Sequence, residues 1–324
     1  MSAENVCLVL PNSGEGALQR AIDSLPQDGS PALLRLAPGV YREKVVLARP
    51  NTTLEGAGAD CTRIVWGDAA YTLLADGRKR GTFRTATLRT DAPYITLRGL
   101  TIENDAAPRE AAGQAIALYA DGDGLLCEDC RLLGAQDTLF TAPLPPREIE
   151  KDGFIGPKQH APRVAQHHVY RRCLISGDVD FIFGGAAAWF DRCTIQNIDG
   201  RSDRSTPYVG YATAASTPEG QRFGYVFSHC RFVDEGVPDG SVYLGRPWRE
   251  FAKTVLIDCE LGAHIAPAGF HDWNKPAAHD TAFYAECGSF GPGASGERCA
   301  FSHALSREEA DALTLSAFLA HWRA

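Results

Sequence analysis

The chain has 324 residues, 44% of them hydrophobic, with ten cysteines and a formal net charge of -8. That charge argues against nucleic acid and anionic membrane surfaces as partners, since both call for basic patches, and no stretch approaches the ~18 apolar residues of a membrane span. An acidic polysaccharide stays open, because a basic or aromatic groove can sit on an acidic protein.

The start, Met1-Ser-Ala-Glu-Asn-Val-Cys-Leu8, lacks the basic and apolar regions of a secretory leader. It predicts a cytoplasmic protein, or a secreted one if a leader had been removed. Residues 15–25 place Leu18, Ala21, Ile22 and Leu25 at helical spacing. Short runs rich in Val, Ile, Leu, Phe and Tyr then recur at 32–36, 44–47, 53–56, 95–102, 115–119 and 125–133, broken by Gly, Asn, Asp and Pro. Such runs are strands bounded by turns.

No helical pattern of ~10 residues lies between them, which disfavours doubly wound and βα-barrel topologies. Hairpin signals are scarce, which disfavours antiparallel sandwiches. The expected architecture is all-β: a right-handed parallel β-helix with short capping helices at both ends. Length alone would suggest two domains, but a solenoid grows in one direction and makes residues 1–324 a single domain.

The longest irregular stretch, 142–163, holds Pro143, Pro145, Pro146, Pro157 and Pro162; irregular loops of this length are often functional. After it the runs carry cysteine in one local pattern: Tyr170-Arg-Arg-Cys173-Leu-Ile175, Phe190-Asp-Arg-Cys193-Thr-Ile195, Phe227-Ser-His-Cys230-Arg-Phe232 and Leu256-Ile-Asp-Cys259-Glu-Leu261. Free cysteine behaves as a small buried hydrophobe, so these read as a ladder of reduced thiols inside a stack. Near the C-terminus Ser306 precedes Glu309 by three residues, a capping-box signature. Ala310, Leu313, Ala317, Leu319 and Ala320 follow as an apolar stripe, giving the second end cap.

Two segments align without gaps. Cys130-Arg-Leu-Leu-Gly134-Ala-Gln-Asp137-Thr-Leu-Phe140 lies over Cys173-Leu-Ile-Ser-Gly177-Asp-Val-Asp180-Phe-Ile-Phe183. If the cysteines occupy equivalent rungs, so do Asp137 and Asp180. Stacked strands lie ~4.8 Å apart, so the two carboxylates should be near neighbours on one face. Carboxylates that close cannot both ionise freely; one keeps its charge and the other's pKa is pushed up. A cation is available in Val242-Tyr-Leu-Gly245-Arg246-Pro-Trp248, since arginine pairs bidentately with a carboxylate. Gln114 and Gln136 are the natural amide donors for an oxyanion.

At these residues the chain resembles the pectinesterase family, the aspartyl carbohydrate esterases of the β-helix class. The resemblance rests on Gly39-Val-Tyr-Arg-Glu-Lys-Val45, Gln114-Ala-Ile-Ala-Leu118, Gly134-Ala-Gln-Asp-Thr-Leu-Phe140, Gly177-Asp-Val-Asp-Phe-Ile-Phe-Gly184, Leu244-Gly-Arg-Pro-Trp248 and Gly291-Pro-Gly293. It implies hydrolysis of 6-O-methyl esters on galacturonan or oligogalacturonides, with no cofactor and no metal. Asp180 would be the nucleophile, Asp137 the general acid and later base, Gln114 and Gln136 the oxyanion donors, and Arg246 the partner of Asp180. Trp248 and Phe183, with Phe140 and Trp273 alongside, would form the sugar-binding floor.

Two departures stand out. Asp178 occupies a place where the family usually has a small or hydroxyl residue, and 142–163 is longer than in the plant enzymes. Leaving the chain straight after the Asp137 motif, 142–163 must emerge beside the catalytic face. Two other activities fit a β-helix with this carboxylate pair: a glycoside hydrolase acting on galacturonan, and a non-catalytic carbohydrate-binding solenoid.

Overall fold

The structure is a computed structural model describing residues 5–11 and 14–323; residues 1–4, part of the start from which the location was argued, lie outside them. The chain winds through three sheets in turn, coil after coil, and each sheet collects one strand per coil. The sheets have eleven, eight and seven strands, and neighbouring strands pair in parallel across each of them. This is the parallel β-helix. No helix among the described residues is long and apolar enough to cross a membrane.

The cysteine pattern marks one corner of each coil. Asp129, Arg172, Arg192, His229 and Asp258 have φ between 51° and 55°, the left-handed conformation that turns the chain between the eleven-stranded and eight-stranded sheets. The next residue points inward, and it is Cys130, Cys173, Cys193, Cys230 or Cys259, each 1% exposed or less. All ten cysteines are free. Burial pushes the Cys193 and Cys230 thiols well above their ordinary pKa, so they stay protonated and unreactive. Beside them Tyr170, Phe190 and Phe227 occupy one register position on successive coils. Their rings stack at 4.8 and 4.4 Å, which adds about 0.5–1.5 kcal/mol per pair beyond area burial.

The ends differ from one another. Helix Ala17–Asp23 covers the first coils with Leu18 and Ile22 fully packed. The Glu43 carboxylate accepts the Leu18 and Gln19 N–H groups at 3.1 Å each, a favourable charge at a helix N-terminus. At the other end the Ser306–Glu309 capping box is present. Its helices, Arg307–Asp311 and Leu315–Arg323, do not close the open end as expected. They lie along the outer face of the eleven-stranded sheet, where Phe318 packs against Trp189 and Phe223 at 5.9 and 5.4 Å. The physical reason is that Val169, Trp189, Val226 and Val255 make that outer face apolar, and a sheet with two apolar faces needs cover on both.

The register of the duplicated segments positions the site. Arg131 pairs with Leu174 in the eight-stranded sheet, and Leu139 with Ile182 in the seven-stranded one. Both pairings carry the same 43-residue offset, so Asp137 and Asp180 hold equivalent places on adjacent coils. Gly177 is required at the bend before Asp180: a Cβ there would sit 2.2 Å from Phe181 Cβ and 2.6 Å from the Ala135 carbonyl.

Candidate active site

Three consecutive coils supply the polar groups. The Ala115 N–H donates to the Gln136 carbonyl at 3.0 Å, and the Asp137 N–H to the Val179 carbonyl at 3.1 Å. Gln114, then Gln136 and Asp137, then Asp180 are thereby stacked along the solenoid axis. Asp137 and Asp180 have φ of 66° and 51°, a left-handed conformation that aspartate tolerates better than most residues. The side chains are 7% and 6% exposed, at the bottom of a cleft of about 580 Å³. Both glutamines line that cleft.

Arg246 sets the two aspartates apart. Its Nε and Nη2 donate to the two Asp180 oxygens at 2.8 and 2.7 Å. The guanidinium is clamped between the Tyr211 and Trp273 rings, 3.8 and 3.7 Å from their centroids, which fixes its plane and adds cation–π attraction. Burial raises the Asp180 pKa, and Arg246 opposes it by charge and hydrogen bonding. A carboxyl that accepts a guanidinium N–H on each oxygen is held in its charged form.

Asp137 has no side-chain hydrogen-bond or ion-pair partner among the described residues. Burial, followed by the charge of Asp180, pushes its pKa well above the ordinary carboxylate range. The two carboxyls thus stand in different surroundings: Asp180 has Arg246 on both oxygens, and Asp137 is pushed up by burial and by Asp180.

A third carboxylate lies just behind. Asp178 is fully buried, and Arg109 Nε sits 2.6 Å from its Oδ2 at an angle outside hydrogen-bond geometry. Burial pushes Asp178 up to about 6, against the pull of Arg109. Its charge adds to the upward push on Asp137.

The aromatic residues divide. Trp248, Phe183 and Trp273 line the cleft. Phe140 does not: it is fully buried beneath Phe183, with ring centroids 5.0 Å apart, and belongs to the packing under the floor. It is removed from the sugar-contacting set because Phe83 also covers it, at 5.1 Å.

Several residues around the site had no signal at sequence level. Tyr211 sits one coil beyond Asp180, with no local motif to mark it. Lys275 and Arg249 line the same wall. Lys275 Nζ donates to the Pro247 and Trp248 carbonyls at 2.7 and 3.2 Å. Burial, with Arg249 and Arg246 nearby, pushes it down to about 8. Its neighbour Trp273, already a candidate, was the one hint available. Ile149, Glu150, Gly153 and Phe154 of the proline-rich segment complete the wall, beside the catalytic face as its point of departure required.

The family profile described as pectinesterase matches residues 9–145 and 160–321. The chain belongs to the pectinesterase family. It is 30% identical over 313 residues to pectinesterase QRT1 of Arabidopsis thaliana, covering 93% of this chain and 74% of that protein. Among solved structures it resembles pectin methylesterase PemA of Erwinia chrysanthemi (27% identity, TM-score 0.78), covering 99% of this chain and 98% of that one. A pectin methylesterase mutant in complex with a hexasaccharide matches at 27% identity, 99% and 98% coverage, and a TM-score of 0.80.

Membership makes the chain a carboxylic ester hydrolase. It also corrects the expected cytoplasmic location. The relatives are pectinesterases of Arabidopsis thaliana and a pectin methylesterase of Erwinia chrysanthemi, and they point to an extracellular location in place of the cytoplasmic one.

Proposed function

We propose that this pectinesterase removes 6-O-methyl groups from galacturonan or oligogalacturonides through an acyl-enzyme formed on Asp180. The observation that carries the reading is the split carboxylate pair: Asp180 held bidentately by Arg246, next to a buried Asp137 without a cation of its own.

An Asp180 oxygen attacks the ester carbonyl carbon, and the carbonyl oxygen becomes an oxyanion. Gln114 and Gln136 are placed to donate their side-chain N–H groups to it; a donor of this kind contributes about 10²–10³-fold to the rate. Collapse of the tetrahedral species breaks the bond to the methoxy oxygen, which takes the Asp137 proton and leaves as methanol. An anhydride now joins Asp180 to the sugar's acyl carbon. Asp137, ionised by the first step, draws a proton from water as the water oxygen attacks that carbon. Asp180 departs as carboxylate and is received again by Arg246. The product is a galacturonate carboxyl, and Asp137 again holds its proton.

The cleft suits such a chain. Arg249 and Lys275 bring positive charge towards an acidic sugar, and Trp248 and Phe183 offer flat apolar surface. A glycoside hydrolase would use the same two carboxylates differently, cutting the chain and creating reducing ends. Methanol and reducing ends are therefore measured together on methylated galacturonan. The expected result is methanol release with no new reducing ends. Reducing ends without methanol would replace the esterase by the glycosidase, and binding without either product would leave a non-catalytic solenoid.

A further inference from the structure

The family profile stops at residue 145 and resumes at 160, leaving 146–159 outside it, and the structure ties this segment down at both flanks of the cleft. Arg163 closes its neck, donating to the Pro145, Lys158 and Gln159 carbonyls at 3.1, 3.3 and 2.8 Å. Lys158 pairs with Asp91, and with Asp121 at 3.4 Å. On the far side Arg249 Nη2 donates to the Arg147 carbonyl at 3.1 Å.

Between these anchors Phe154 is driven into the aromatic floor. It is 5% exposed, with its ring edge-on to Phe83 at 5.8 Å and to Trp248 at 6.1 Å. Gly156 brings the backbone so close that a Cβ would lie 2.9 Å from Phe83 Cβ and from its carbonyl oxygen. The space beside Trp248 on that side is filled by the Phe154 ring.

We propose that 146–159 is a specificity strap that ends the sugar-binding floor at Phe154. The enzyme then takes short methylated oligogalacturonides and chain ends in preference to mid-chain esters of the polymer. The proposal rests on the esterase reading above and deepens it by naming the substrate class. Two anchors from separate parts of the fold, a neck closed by Arg163 and a packed ring at the floor distinguish this segment from a loop lying on the surface.

The test compares kcat/KM for methanol release from a methylated trigalacturonate and from polymeric pectin. The wild type is set beside Phe154→Gly, which opens the floor, and Lys158→Met, which loosens the strap away from the cleft. Thermal melts check that both variants are folded. The polymer-to-trimer ratio is expected to rise about tenfold or more in Phe154→Gly and severalfold in Lys158→Met. A ratio that stays put or falls in both variants, with the trimer still turned over, overturns the strap and leaves the esterase standing. Failure of the wild type to release methanol from either substrate overturns the esterase reading and the strap with it.

Discussion

Replacing Asp180 by alanine is expected to lower kcat by about 10⁴-fold or more, the scale on which enzymes lose a covalent nucleophile. Asp137→Ala is expected to cost about 10²–10⁴-fold, the usual contribution of a positioned acid–base group. The inequality follows from the structure. Asp180 forms the bond, and nothing else near the reacting carbon is a charged nucleophile held by a cation. Water could replace some of the proton transfer that Asp137 performs. Asp137→Ala removes a buried carboxyl with no cation of its own and should fold at least as stably as the wild type, whereas Asp180→Ala strands the largely buried Arg246 guanidinium and should fold with reduced stability. Methanol release measured on variants shown by melting curves to be folded checks the prediction. A tenth of wild-type activity in either folded variant would remove that residue from the mechanism.

Arg246→Ala is expected to lower kcat/KM by about 10²–10³-fold, as for other preorganised charges aimed at a reacting group. It should also move the acidic limb of the pH–rate profile to higher pH. The sign comes from the two opposing influences on Asp180. Burial raises its pKa and Arg246 opposes that rise, so without the arginine a higher pH is needed to ionise the nucleophile. Asp137 also loses a downward influence from Arg246, so the basic limb should shift the same way. Because the carboxyls interact, the two apparent values belong to the pair.

Arg246→Lys should rescue little, since lysine can neither bond both oxygens in one plane nor fill the slot between Tyr211 and Trp273. A normal rate with an unmoved acidic limb in Arg246→Ala would assign the arginine to packing alone.

What the sequence carried, and what it did not, follows from how local each signal is. The gapless match of the Cys130 and Cys173 segments is a statement about one coil stacked on the next, and the 43-residue register reproduces it. Asp137, Asp180 and the cysteine ladder were legible for that reason. Arg246 was legible because its Gly-Arg-Pro-Trp context is a motif in itself. Tyr211 and Lys275 were not, because they reach the site from other coils and carry no motif.

Phe140 was misplaced because its position alternates outward like that of a floor residue. The sequence does not reveal that Phe83, from an earlier coil, would cover it. The C-terminal helices were legible as helices but not in their place, which depends on the outer face of strands far upstream. The start of the chain suggested the cytoplasm, and the family membership corrects it.

In the proposed mechanism, two equivalent aspartates on adjacent coils hold different protonation states. Difference infrared spectroscopy of the wild type and Asp137→Asn, across a pH titration, reads this directly. The predicted result is a protonated-carboxyl band that persists at a pH where ordinary carboxylates and Asp178, pushed up to about 6, are both ionised, and that is absent from Asp137→Asn. A band that survives unchanged in Asp137→Asn, or no such band in the wild type, would contradict the account.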